Sequence, residues 1–203
     1  MKMIKRTKTE KWALIVVDVQ NDFCPGGSLA VPKGDEVIGP INAMISLALK
    51  KKKPIFFSRD WHPKVTGHFK NYGGDWPPHC IMYEEGAKFH HAIKIPKSAF
   101  IISKGMVSGE DAYSAFDGET LDGDMIDDLL RALKVTKVYV CGLATDFCVK
   151  ATVISASEAG YKVVLLRDAC RAVFPDKEAE LLKTMEEDEE YCSILTTKDA
   201  LEQ

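Results

Sequence analysis

The chain has 203 residues, 46% hydrophobic and 28% charged, with a net charge of −3. That balance suits one globular domain spanning 1–203 and excludes a disordered or fibrous chain. The slight acidity speaks against nucleic acid as a partner. The basic clusters, KKKK at 50–53 and the N-terminal MKMIKRTKTEK, read as solvated ends. There is no signal-peptide core and no apolar run of bilayer length, so no membrane association and a cytoplasmic location are expected. The six cysteines include no CxxC pair. In a reducing compartment they read as free thiols.

In chain order, short apolar runs alternate with helical patterns. WALIVVDV (12–19) is the first predicted strand, followed by a helix over about 35–52. PIFFSRD (54–60) is the second strand. A long connection, 61–98, then runs rich in Pro, Gly, His and Trp and holds two of the three tryptophans, a composition that disfavours disorder. AFIIS (99–103) is the third strand and 122–134 a helix. KVYVCG (137–142) is the fourth strand and 146–160 a helix. KVVLLRD (162–168) is the fifth, 176–189 a helix, and YCSILTT (191–197) a candidate sixth. Strands apolar on both faces, alternating with helices, predict a three-layer α/β/α fold around a central, mostly parallel, doubly wound sheet.

In such a sheet, ligands bind beyond the carboxyl ends of the strands. Asp18, Asp60 and Lys104 end the first three strands, and GLATDFC (142–148) follows the fourth. Thr145 or Asp146 could cap the next helix and leave Cys148 in its first turn. A helix N-terminus favours an anion and depresses a thiol's pKa. The alternative is an inert buried cysteine. Asp18 could exchange a proton with the thiol, with Lys104 holding it ionised. Alternatively, Asp18 caps a turn and Lys104 is solvated. In RDWHPKVTGHFKNYGGDWPPHC (59–80), Asp60 and His62 share one side of an extended segment, and His68 and His79 follow. Imidazole and carboxylate suit a catalytic Zn, Fe or Mn ion. The alternative is histidines satisfied by hydrogen bonds in a packed loop. His90 and His91 read as helix-surface or packing residues.

At these residues the chain resembles the nicotinamidase/pyrazinamidase family, within the isochorismatase-like cysteine hydrolases. ALIVVDVQNDFCPGGSLAV, SRDWHP with WPPHC, KG at 104–105, DAYSAF and GLATDFCVKAT carry the likeness, which covers nearly the whole chain. The resemblance implies a catalytic triad of Cys148, Asp18 and Lys104. It implies one divalent metal ion held by Asp60, His62 and His79, with His68 as a further ligand. It implies a non-proline cis peptide before Ala144, an oxyanion hole from the Ala144 and Cys148 N–H groups, and aromatic walls at Phe23, Trp76 and Tyr113. Phe147 departs from the resemblance, standing where many relatives carry a polar or histidine residue. The implied substrate is a small pyridine carboxamide. Nicotinamide, and pyrazinamide with it, would be hydrolysed to the acid and ammonia through a Cys thioester, with 61–98 as the metal and substrate loop. The sheet edge and helix faces could pair copies of the chain as a homo-oligomer.

Three rivals differ in what they need. Another isochorismatase-like hydrolase, acting on a different small amide, a carbamoyl compound or a vinyl ether, needs no Asp–His loop. A hydrolase using metal-bound water leaves Cys148 structural. A non-catalytic binding protein on this fold has no reason to keep Asp18, Lys104 and Cys148 together.

Overall fold

The computed structural model describes residues 10–109, 111–187 and 192–202. Most of the basic N-terminal cluster, the last two residues of the 176–189 helix and Tyr191 lie outside them.

Six strands form one sheet: β1 (Trp12–Val17), β2 (Ile55–Asp60), β3 (Phe100–Lys104), β4 (Lys137–Leu143), β5 (Lys162–Arg171) and β6 (Ser193–Leu195). Every pairing is parallel, and the order is β3-β2-β1-β4-β5-β6. Ala13 to Val17 are fully buried, as expected of a central strand covered on both faces. The chain winds outward from β1 in one direction and from β4 in the other. Right-handed crossovers therefore put the connecting helices on opposite faces.

Helix α1 (Ile38–Lys50) buries Ile38, Ile41, Met44, Ile45 and Ala48, a spacing of three to four that makes one apolar stripe. It ends where Lys52 turns left-handed at φ 52°. Then follow α2 (Ile126–Ala132), α3 (Lys150–Glu158) and α4 (Pro175–Glu187), which opens on Pro175 with Asp176 and Glu178 in its first turn. A fifth helix, α5 (Thr197–Leu201), was not expected. Its capping box pairs Thr196 with Asp199, satisfying N–H groups at the helix start. The 61–98 connection holds two short 3₁₀ turns, Lys70–Tyr72 and Glu85–Ala87, and isolated bridges such as His62 to Ile81. His90 and His91 sit in a turn and not on a helix, with ring centroids 4.4 Å apart. Among the described residues no helix is long and apolar enough to cross a membrane.

The order of strands places a switch point between β1 and β4, where ligand crevices form in this architecture. Gly142 pairs with Val17 across that seam at φ 122°. A Cβ on Gly142 would stand 2.0 Å from the Val17 carbonyl oxygen, so only glycine lets the strands meet there.

Candidate active site

The turn after β4 differs from the expectation. Residues Thr145–Val149 form one π-helical turn ahead of α3, and neither Thr145 nor Asp146 caps it. Both side chains are engaged elsewhere. Thr145 Oγ1 donates to Glu178 on α4 at 2.6 Å. Asp146 accepts the Val173 and Phe174 N–H groups at 3.0 and 2.9 Å. The turn that carries Cys148 is thus braced against the β5–α4 connection. The peptide between Leu143 and Ala144 is cis.

Behind Cys148 lies a buried charge chain. Lys104 Nζ is 3.5 Å from Cys148 Sγ and 2.9 Å from Asp18 Oδ2, and it also donates to Asp60 Oδ1. The Ala112 carbonyl accepts from the same ammonium at 3.0 Å. The contact with Asp18 Oδ2 is a buried ion pair; the other Asp18 oxygen accepts Ser58 Oγ at 2.7 Å. Asp18, Asp60 and Cys148 bring their polar side-chain atoms within 4.8 Å of one another.

Burial pulls on each of these groups, and the neighbours decide the outcome. Burial raises the Asp18 carboxyl's pKa, and Lys104 only partly offsets it. Burial alone would lower the Lys104 ammonium's pKa, but Asp18, Asp60 and Cys148 lift it well above its usual range. Burial would likewise raise Asp60, but Lys104, His62 and His79 hold it well below the usual carboxylate range. Burial pushes the Cys148 thiol well above its ordinary value despite Lys104, because Asp18 and Asp60 add to it. The expectation of a thiol depressed by a helix N-terminus is therefore corrected. Burial and the two carboxylates oppose the thiolate more than the lysine and the helix start favour it.

Beside this chain, the three histidines of the long connection converge. The ligand atoms of His62, His68 and His79 lie within 4.8 Å of one another, all on buried residues. His62 Nδ1 faces the Gly105 carbonyl at 3.0 Å, and His79 Nδ1 faces the Pro77 carbonyl at 2.8 Å. His68 Nδ1 faces the Asp111 carboxylate. Carbonyl and carboxylate oxygens only accept, so each Nδ1 carries a proton, and in the neutral ring this leaves the Nε2 lone pair free for a cation. His62 Nε2 is buried with no hydrogen-bond partner. Asp60 Oδ2 is 3.6 Å from His62 Nε2 and 3.7 Å from His79 Nε2, too far for hydrogen bonds. Two ligands of a tetrahedral ion, each about 2.1 Å away, stand about 3.4 Å apart. An orphaned imidazole nitrogen and a carboxylate oxygen at this spacing fit a divalent metal.

The two clusters share one pocket with about 460 Å³ of empty space, its open mouth included. Phe23, Trp76, Tyr113, Ala144 and Cys148 line it together with Asp60 and the three histidines. Asp18 and Lys104 do not reach its surface. Trp76 Nε1 donates to Tyr113 Oη at 2.9 Å, joining two walls.

Several contributors had no site role assigned to them from the sequence. Phe147 lines the pocket, its ring 5.1 Å from Trp76 and edge-on to it. Gln20 donates to the Asp60 and Ala87 carbonyls at 2.7 and 2.9 Å and accepts the Asp60 N–H at 2.8 Å. It ties the ends of β1 and β2 together; a buried amide two residues after Asp18 was the available signal. Gly105 approaches His62 so closely that no side chain fits, and a glycine directly after Lys104 was the signal there.

Comparison with known proteins agrees with this geometry. The isochorismatase domain family matches residues 12–200. The nicotinamidase of Escherichia coli is 38% identical over 177 residues, covering 79% of this chain and 83% of that protein. The nicotinamidase/pyrazinamidase of Mycobacterium tuberculosis is 36% identical, covering 85% and 93%. The crystal structure of the pyrazinamidase of Pyrococcus horikoshii in complex with zinc superposes with a TM-score of 0.83 at 39% identity, covering 92% of this chain and 99% of that one.

Proposed function

The chain belongs to the isochorismatase family, and from that premise we propose that its pocket hydrolyses nicotinamide to nicotinate and ammonia, with Cys148 as nucleophile. The activity is that of a nicotinamidase, in line with curated relatives 36–38% identical over most of the chain. The single observation that carries the residue roles is the buried contact of Cys148 with Lys104 and Asp18 at the wall of an aromatic pocket.

Asp18 takes the thiol proton as sulfur approaches the carboxamide carbon. Its raised pKa suits it to give that proton back. The Cys148 thiolate adds to the carbon, and the carbonyl oxygen becomes an oxyanion, which the Ala144 and Cys148 N–H groups receive. The C–N bond then breaks, Asp18 protonates the departing nitrogen, and ammonia leaves a thioester. Asp18 next removes a proton from water, whose oxygen attacks the thioester. The C–S bond breaks, nicotinate leaves, and the proton returns to sulfur. Lys104 keeps Asp18 anionic between transfers and balances the charge on sulfur.

Asp60, His62, His79 and His68 would hold one divalent ion, Zn, Fe or Mn. When bound, the ion supplies a Lewis-acid template for the ring nitrogen. Phe23, Trp76 and Tyr113, with Phe147, clamp the flat ring and exclude water. The 61–98 connection is the metal and substrate loop of a domain spanning 1–203. Pyrazinamide carries the same carboxamide with a ring nitrogen in the same place and would serve as a second substrate. A cytoplasmic setting fits the cysteines, which are all free and buried.

Ammonia release from nicotinamide tests the reading, with the protein as purified, after chelation and after iodoacetamide. Loss of release under both treatments is expected. Activity that survives iodoacetamide would remove Cys148 from the chemistry and favour metal-bound water. No release from nicotinamide under any condition would refute the substrate.

A further inference from the structure

The three histidines are not held alike. His62 and His79 are oriented by main-chain carbonyls, which no side-chain substitution removes. His68 is oriented by a side chain, the Asp111 carboxylate, 43 residues along the chain. That carboxylate is 61% exposed, so packing does not explain its place. The residues next to it are also committed. The Ala112 carbonyl accepts from Lys104 Nζ at 3.0 Å, and Tyr113 Oη accepts from Trp76 Nε1 at 2.9 Å. Three consecutive residues therefore touch the histidine cluster, the buried lysine and the aromatic wall.

We propose that Asp111 is a positioning residue of the metal site, its carboxylate fixing the His68 ring so that Nε2 points among the other ligands. This rests on the metal site proposed above. The physical reason is ligand pre-organisation. A carboxylate accepting the Nδ1 proton locks tautomer and ring angle, and makes Nε2 a better donor to a cation than a neutral carbonyl would. Because its other face is in water, Asp111 carries out this task without belonging to the core. It also makes His68 the ligand most open to substitution from outside the site.

The test uses the full chain, stripped of metal and titrated with Zn²⁺ against a chromophoric chelator. Wild type, Asp111→Ala, Asp111→Asn and Asp111→Glu are compared, with His62→Ala as a control. Asp111→Ala should weaken Zn²⁺ binding by about 10–100-fold. Asp111→Asn should fall between, because its amide oxygen still accepts but carries no charge. Asp111→Glu should recover most of the affinity. Melting of the metal-free proteins should be unchanged by all three, and excess Zn²⁺ should restore turnover. Binding by Asp111→Ala within twofold of wild type would overturn the inference alone. So would a lost fold that excess Zn²⁺ does not repair, since that is a structural role. Wild-type protein that binds no Zn²⁺, and behaves like His62→Ala, would overturn the metal site and the inference together.

Discussion

Replacing Lys104 by Met tests the buried charge chain most directly. The side chain is fully buried, and Met fills similar volume without the ammonium. At 2.9 Å from Asp18 and an effective dielectric of about 20, the lost attraction is about 6 kcal/mol. Some of that returns, because the ammonium no longer has to be desolvated and the stranded carboxylates can take up protons. Breaking a buried pair by removing one partner costs about 3–5 kcal/mol in comparable cases. In a chain of this size that is a fall in melting temperature of about 6–20 °C. The sign of the pH dependence identifies the cause. Burial already raises Asp18, and removing Lys104 removes the main force lowering it. A carboxyl whose folded pKa lies above its unfolded value loses stability as pH rises past that unfolded value, here 3.8. The variant's deficit should therefore be large at pH 7 and shrink toward pH 4, as the unfolded Asp18 also begins to take up its proton. Urea unfolding of the metal-free proteins from pH 4 to 8 measures it, and kcat should fall by orders of magnitude in parallel. A deficit below about 1 kcal/mol at pH 7, or one that does not change with pH, would refute the assignment of Lys104 as the counter-charge.

Cys148→Ala should abolish hydrolysis while leaving ring binding measurable by calorimetry; appreciable residual turnover would return the cysteine to a packing role. In Gly105→Ala the new Cβ would stand 2.4 Å from His62 Cε1 and 2.6 Å from Nδ1, at a backbone φ of +66°. The strained backbone alone costs about 1–2 kcal/mol. The displaced ring should lower metal content by elemental analysis and raise KM more than it lowers kcat; full metal occupancy would show that His62 is not a ligand. Burial, aided by Asp35 and Glu186 respectively, pushes the Cys24 and Cys192 thiols up to about 11. In the folded chain they keep protons that the unfolded chain releases near 9.0, so stability should fall as pH rises from there toward 11. A Cys24→Ser, Cys192→Ala double variant should show a shallower decline between these values, and an identical slope would contradict the shift.

What the sequence by itself determined is the local part. Six apolar runs, the helices between them, and the polar residues at strand ends are set by hydrophobic period and chain direction, which neighbouring residues encode. Asp18, Asp60, Lys104 and the Cys148 turn could be placed at one edge because a parallel sheet puts all its carboxyl ends together. The helix α5 was missed: the run ending at residue 197 reads as a strand, whereas Thr196 caps a helix through its reciprocal bonds with Asp199. The tertiary structure alone decided the rest. The strand order that seats β1 against β4 depends on hydrogen bonds between segments more than 100 residues apart. The π turn at Thr145–Val149 exists where the would-be caps are bound to α4 and to the β5–α4 connection, partners no local pattern announces. The thiol's raised pKa follows from burial among charges, which only packing creates. The orientation of the histidines follows from acceptors at Gly105, Pro77 and Asp111, two of them 43 residues away, because a ligand's direction is set by whatever occupies its other nitrogen.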